Sequence, residues 1–140
     1  CKLAINCKRY RKKAVFELKN RFERAQIGEI VSVVRDCGML PDTVFISFSY
    51  KNMTDLRALL PTQPAQYLCY GEIDENLVAK LKDQDLDIDT RHDRLNEASV
   101  ALLHENGITV NCWTVNDPAR GRELVDLGVD MITTNILEGV

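Results

Sequence analysis

Glu17 and Lys19 are the pair from which chemistry can first be read. They close a β-rich run over residues 14–19 (AVFELK), and residues two apart on a strand point to the same side. A carboxylate and an ammonium are costly to bury unless each has a partner. The two could neutralise one another as a structural ion pair. They could equally hold a divalent cation and a phosphate, the glutamate supplying oxygen to a hard ion and the lysine offsetting phosphate charge. Spacing alone leaves both readings open.

Such a pair needs a strand that ends at a ligand-binding face. Six short runs rich in Val, Ile, Phe, Tyr and Thr suit strands: residues 14–19, 43–48 (TVFISF), 65–70 (AQYLCY), 86–90 (LDIDT), 109–115 (TVNCWTV) and 131–134 (MITT). Most are nearly continuous in apolar character, as in strands of a parallel sheet covered on both faces. Helices fit between them. Residues 21–37 carry one apolar stripe through Phe22, Ile27, Ile30, Val31 and Val34. Asp74, then Asn96 or Asp93, then Asp117 before Pro118 supply helix starts. Gly38, Gly107 and Gly128 follow helical stretches as expected stops. The pattern predicts an α/β chain of parallel βα units without a linker or a second domain.

In parallel α/β folds ligands collect at the C-terminal ends of strands. That rule adds Ser47, Phe48 and Ser49, Cys69 with Tyr70, Asp89 with His92, Trp113 with Asn116, and Thr134 with Asn135 to the first pair. His104 sits within a helical stretch beside Leu102 and Leu103 and reads as a surface or packing residue. His92 precedes Asp93 near the binding face, but the dipeptide is equally explained by helix capping.

Composition narrows the classes. At 140 residues, 45% hydrophobic and 28% charged, the chain is neither collagenous, nor a long coiled coil, nor mostly disordered. A net charge of −3 gives no reason to expect a nucleic-acid partner. No apolar run approaches the ~20 residues that span a bilayer. The length is short of the ~250 residues of a complete (β/α)8 barrel. The chain opens at Cys1 without a signal-peptide pattern, so we expect the native start to lie upstream. Five cysteines without CxxC spacing argue against zinc or redox motifs, and Cys69 and Cys112 sit in apolar runs as core thiols. This slightly favours a cytoplasmic location. Charge is uneven: Lys8, Arg9, Arg11, Lys12 and Lys13 cluster before the first strand, whereas residues 72–97 are acidic. Two solvated faces account for this, and an anion-attracting edge near the first strand is the sharper reading.

The segments 15–19 (VFELK), 44–48 (VFISF), 102–116 (LLHENGITVNCWTVN) and 127–135 (LGVDMITTN) resemble the glycerophosphodiester phosphodiesterases, a TIM-barrel family. Their order and spacing match that family from its third barrel strand to its end, across essentially all of residues 1–140. The resemblance implies about six of the eight strands of a (β/α)8 barrel in one domain. It also implies hydrolysis of glycerophosphodiesters to glycerol 3-phosphate and an alcohol, assisted by Ca²⁺ or Mg²⁺. Glu17 matches the family's metal-ligating glutamate, Lys19 its phosphate-contacting lysine, and Trp113 its pocket tryptophan, with Phe48 on the same wall. Core packing is the alternative role for Trp113 and Phe48.

Some family features are absent. The acid–base histidines of a His-Arg and a His-Asp motif, and two metal carboxylates of a Glu-x-Asp motif, would precede Glu17. No catalytic acid or base is therefore assigned, and the 140 residues alone are expected to be inactive. The closing strand reads Thr133-Thr134-Asn135 where the family commonly has Thr-Asp, which questions a local hydrogen bond. Open sheet edges predict self-association into a homo-oligomer. A non-catalytic, self-associating binding module and another phosphate-binding barrel are the alternatives.

Overall fold

In the computed structural model, which describes residues 2–137, the chain divides after Tyr67 into two compact units. The first contains α1 (Lys2–Tyr10), β1 (Ala14–Glu17), α2 (Arg24–Asp36), β2 (Thr43–Ser47), α3 (Tyr50–Leu59) and the start of β3 (Ala65–Cys69). The second continues with α4 (Glu75–Asp83), β4 (Asp87–Arg91), α5 (Glu97–Glu105), β5 (Val110–Trp113), α6 (Pro118–Asp126) and β6 (Met131–Ile132). In the first unit β1 pairs with β2 and β2 with β3, all parallel, Glu17 lying opposite Ile46. In the second, β4 pairs with β5 and β5 with β6, again parallel, Trp113 lying opposite Arg91. The expected α/β class with parallel βα units is what the chain adopts.

Local chemistry explains most boundaries. Asp74 accepts a hydrogen bond from the Leu77 amide, Asn96 from Ser99, and Asp117 from Ala119 just after Pro118. These bonds satisfy amides that the first helical turn leaves unpaired. Asn96 rather than Asp93 is the cap of α5, because a 3-10 turn over His92–Arg94 intervenes and Asp93 pairs with Arg91. Gly38, Gly107 and Gly128 take φ of 64°, 73° and 84°, a region that penalises a β-carbon. Helix α1 was not expected. Among its described side chains Ala4 and Cys7 are buried, too small to read as an apolar stripe within a basic run.

Each unit has its own buried centre. Leu18, Ile27, Phe45, Met53 and Leu56 are sealed in the first; Leu81, Ile88, Leu103, Val110 and Leu124 are sealed in the second. Burial of each such side chain contributes about 1.5–3 kcal/mol. Cys69 and Cys112 are core residues as expected, and burial pushes the Cys69 thiol up and that of Cys112 to about 12. Both stay protonated and unreactive near neutrality. Cys1 lies outside the described residues.

One half-buried acid yields a pH-dependent expectation. Asp87 accepts a hydrogen bond from the Thr109 amide at 2.8 Å. Burial, with the charges of Asp85 and Asp130, nevertheless holds its carboxyl above the usual 3.8. A raised folded-state value means that the stabilising contribution is full below 3.8 and is lost as pH rises through the higher value. Asp87→Asn keeps the acceptor and removes the charge. It should raise the thermal midpoint at pH 7, and the gain should vanish as pH falls below 3.8. Melting curves across that range check both parts.

Candidate functional site

The first unit carries the Glu17–Lys19 pair at the C-terminal end of β1. Alternation puts Val15, Glu17 and Lys19 on one side of the strand, while Ala14 and Leu18 are buried on the other. The Leu18 amide bonds to the Ile46 carbonyl at 2.8 Å, so pairing continues one residue beyond β1 and directs Lys19. Lys19 Nζ lies 3.9 Å from Glu17 Oε2, with side-chain exposures of 77% and 31%. At that separation and exposure the ion pair is loose and screened, contributing little to stability. Both groups remain available to a ligand.

What holds them is a buried polar knot that the sequence did not announce. Asn52, fully buried near the start of α3, accepts from the Phe22 amide at 3.0 Å. Its Nδ2 donates to the Asn20 carbonyl at 2.7 Å and to Ser47 Oγ at 3.2 Å, with the Leu18 carbonyl at 3.4 Å. Ser47 Oγ in turn donates to the Leu18 carbonyl at 2.7 Å. Ser49 caps α3 and so fixes where Asn52 stands. The loop on either side of Lys19 is thereby clamped from β2 and α3. Asp55, one turn further, bonds Lys51 at 2.6 Å and Arg24 at 2.9 Å; Lys51 foremost, then Arg24, hold its carboxyl below 3.8 despite the opposing effect of burial. This ties the start of α2 to α3. Phe48 follows β2 directly and is 37% exposed.

The second unit places Trp113 at the end of β5, in edge-to-face contact with Tyr70 at 5.6 Å and 89°. Tyr70 was only a shortlisted strand-end residue; the contact makes it the partner of Trp113. One step deeper on the same side, Asp89 and Asn111 lie opposite each other and are buried. Thr90 bonds the Cys69 carbonyl at 3.2 Å, fixing β4 just below Tyr70.

The two histidines take different places. His92 lies in the 3-10 turn after β4, its carbonyl accepting from Arg120, which also holds the Leu95 carbonyl at 3.0 Å. Its Nδ1 is buried without a hydrogen-bond partner among the described residues, so His92 and Asp93 form no relay. His104 Nε2 meets Asp130 Oδ2 at 2.9 Å, and the same oxygen accepts from the Val110 amide, at the opposite ends of the strands. The closing turn is held by Asn116 Oδ1 accepting from the Asn135 amide at 3.0 Å, and by Thr134 Oγ1 accepting from the Leu137 amide. The bonds that hold this turn thus involve Asn116 and Thr134, with Asn135 contributing its backbone.

For a cation the donor set is incomplete. No group of three or more His, Cys, Asp or Glu side chains able to hold a metal occurs among the described residues. A hard divalent ion takes about six or more oxygens. Glu17 fits as one such ligand and does not make a cage.

Comparison with known proteins sets this geometry in context. A family model, described as the glycerophosphoryl diester phosphodiesterase family, matches residues 1–138. YhdW of Bacillus subtilis, provisionally named a glycerophosphodiester phosphodiesterase, is 24% identical over 134 residues, covering 91% of this chain and 55% of its own. A crystal structure from Silicibacter pomeroyi, provisionally named a glycerophosphoryl diester phosphodiesterase, superposes with a TM-score of 0.83 at 25% identity, over 95% of this chain and 51% of that one. An Oleispira antarctica phosphodiesterase, solved with its product sn-glycerol-3-phosphate, superposes at 0.70 with 21% identity, over 79% and 45%. The chain therefore spans about half the length of these relatives. With the family model matched along nearly its whole extent, the chain belongs to the glycerophosphoryl diester phosphodiesterase family.

Proposed function

We propose that these 140 residues contribute six of the eight βα units of a (β/α)8 domain that hydrolyses glycerophosphodiesters to glycerol 3-phosphate and an alcohol. The observation that carries this reading is the Glu17–Lys19 pair, loosely held on one side at the C-terminal end of β1 in a chain of this family. Lys19 neutralises the phosphate and the charge that grows on it during displacement. Glu17 offers one oxygen ligand to Ca²⁺ or Mg²⁺. Such an ion, when bound, supplies Lewis-acid polarisation of a phosphoryl oxygen. By the family resemblance Phe48, just after β2, and Trp113, at the end of β5, are each substrate-facing residues, and Tyr70 holds the Trp113 ring by an edge-to-face contact. The relative bound to sn-glycerol-3-phosphate supports the substrate class.

Proton transfer needs an acid and a base that Glu17 and Lys19 do not provide. The 140-residue chain alone is therefore inactive in this reading, and the complete barrel is active. The experiment is release of glycerol 3-phosphate from glycerophosphocholine by each, with Ca²⁺ or Mg²⁺ added or chelated. Metal-dependent release by the complete protein is expected; release by the short chain overturns the assignment of proton transfer elsewhere. No release by either form favours a non-catalytic, self-associating module. Exposed Val15 on β1 and Met131 on β6 lend that second reading its support, since apolar side chains on terminal strands invite a homo-oligomeric contact.

A further inference from the structure

We propose that α1 and the turn after it form a docking surface for anionic phospholipid bilayers. Lys8, Arg9, Arg11, Lys12 and Lys13 are all exposed, and residues 2–13 contain no acid. None of the five is in an ion pair with a described residue. Charges meant only for solubility or for local pairing are commonly interspersed with the opposite sign; this group is unmixed, although the whole chain sums to −3. The helix is fixed to the first unit by Ala4 and Cys7, which are buried. The backbone then turns sharply at Arg11, where φ is 52°, and the Lys12 amide returns to the Cys7 carbonyl at 2.9 Å. That turn gathers the cations at one end of the helix.

Apolar side chains stand among them. Ile5 is 64% exposed and one helical turn from Arg9; Tyr10 is 61% exposed, with the Arg9 guanidinium 5.5 Å from its ring centre. Cations flanked by an aliphatic and an aromatic side chain suit the headgroup–acyl boundary, where the charges meet lipid phosphates and the apolar groups enter the interface. The exposed aliphatic side chain of Ile5 among the cations has an acyl boundary to enter on a bilayer and none on a nucleic acid, so the patch favours lipid over nucleic acid. The patch precedes β1, whereas Lys19 follows it. Six residues at strand rise separate Lys13 from Lys19 by about 20 Å. Docking thus leaves the strand end that carries Glu17 and Lys19 facing away from the bilayer.

The test is co-sedimentation of the protein with vesicles of phosphatidylcholine alone and with about a third phosphatidylglycerol, enough to give a negative surface potential. Binding to the anionic vesicles only is expected, falling steeply as salt shortens the screening length. Each basic group near such a surface strengthens binding about fivefold. The Lys8→Gln, Arg9→Gln, Lys12→Gln, Lys13→Gln variant should therefore lose about a hundredfold or more, with an unchanged circular dichroism spectrum. Ile5→Ser with Tyr10→Ser should weaken binding while keeping the salt dependence. The wild-type salt titration decides the question even if the quadruple variant misfolds. Equal binding to both vesicle types, no binding, salt-independent binding, or tighter binding to single-stranded RNA than to anionic vesicles overturns the proposal.

Discussion

On the proposed function, Lys19→Met in the complete protein should lower kcat/KM for glycerophosphocholine by about a hundredfold to a thousandfold, the usual loss when one preorganised electrostatic partner of a transition state is removed. The side chain is 77% exposed and its ion pair with Glu17 is loose, so folding stability should change by less than about 0.5 kcal/mol. Catalytic loss without a stability loss distinguishes a functional lysine from a structural one. Because charge on the phosphoryl oxygens increases towards the transition state, most of the loss should fall on kcat. Lys19→Arg keeps the charge on a longer, planar group and should recover only part of the rate. Glu17→Gln should act differently. It retains the shape while removing an anionic ligand, so the metal concentration needed for half-maximal rate should rise. Steady-state assays with metal titration, paired with thermal melts, check both variants. A Lys19→Met enzyme within about threefold of wild type would sink the assignment, because so small a loss is below that expected for a phosphate partner.

Much of the framework was legible because it depends on nearby residues. Asp74, Asn96 and Asp117 each bond an amide two or three positions away. The glycines after α2, α5 and α6 end helices through their own backbone conformation. The apolar runs were legible as parallel strands because strands covered on both faces show little alternation. Glu17 and Lys19 were legible for the same reason, since their common side follows from strand geometry alone. Helix α1 was hidden because the buried residues among its described side chains, Ala4 and Cys7, are small and stand in a basic run. The choice between Asp93 and Asn96 turned on a short 3-10 turn with no strong local signature. Asn52 was invisible. A lone asparagine among helical residues reads as solvated, and its partners lie up to 34 positions away. Tyr70 became more than a strand-end aromatic only when its ring met that of Trp113, 43 residues later in the numbering.

Asn52→Ala should destabilise the protein by about 3 kcal/mol, the range for opening a buried polar network. Its amide is the joint between the loop around Lys19, the end of β2 and the start of α3. Truncation strands the Phe22 amide and the Asn20 carbonyl and leaves Ser47 Oγ without one of its donors. Leucine would fill the space and satisfy none of them. Aspartate is the sharper test: it still accepts from Phe22, but it sets an oxygen against the Asn20 and Leu18 carbonyls where an amide had donated. Asn52→Asp should therefore fail to rescue, and should be most destabilised at neutral pH, where the buried carboxylate is charged. Ser47→Ala should cost less alone, and its combination with Asn52→Ala less than the sum, because the two side chains share the Leu18 carbonyl and each other. Urea midpoints at constant m-value give these quantities. Amide exchange adds a local readout: the Phe22 amide should exchange faster in Asn52→Ala than in a core variant of equal global stability. A loss below about 1 kcal/mol, or full rescue by aspartate, would show that solvent or a neighbour replaces the amide and that the clamp on the Lys19 loop lies elsewhere.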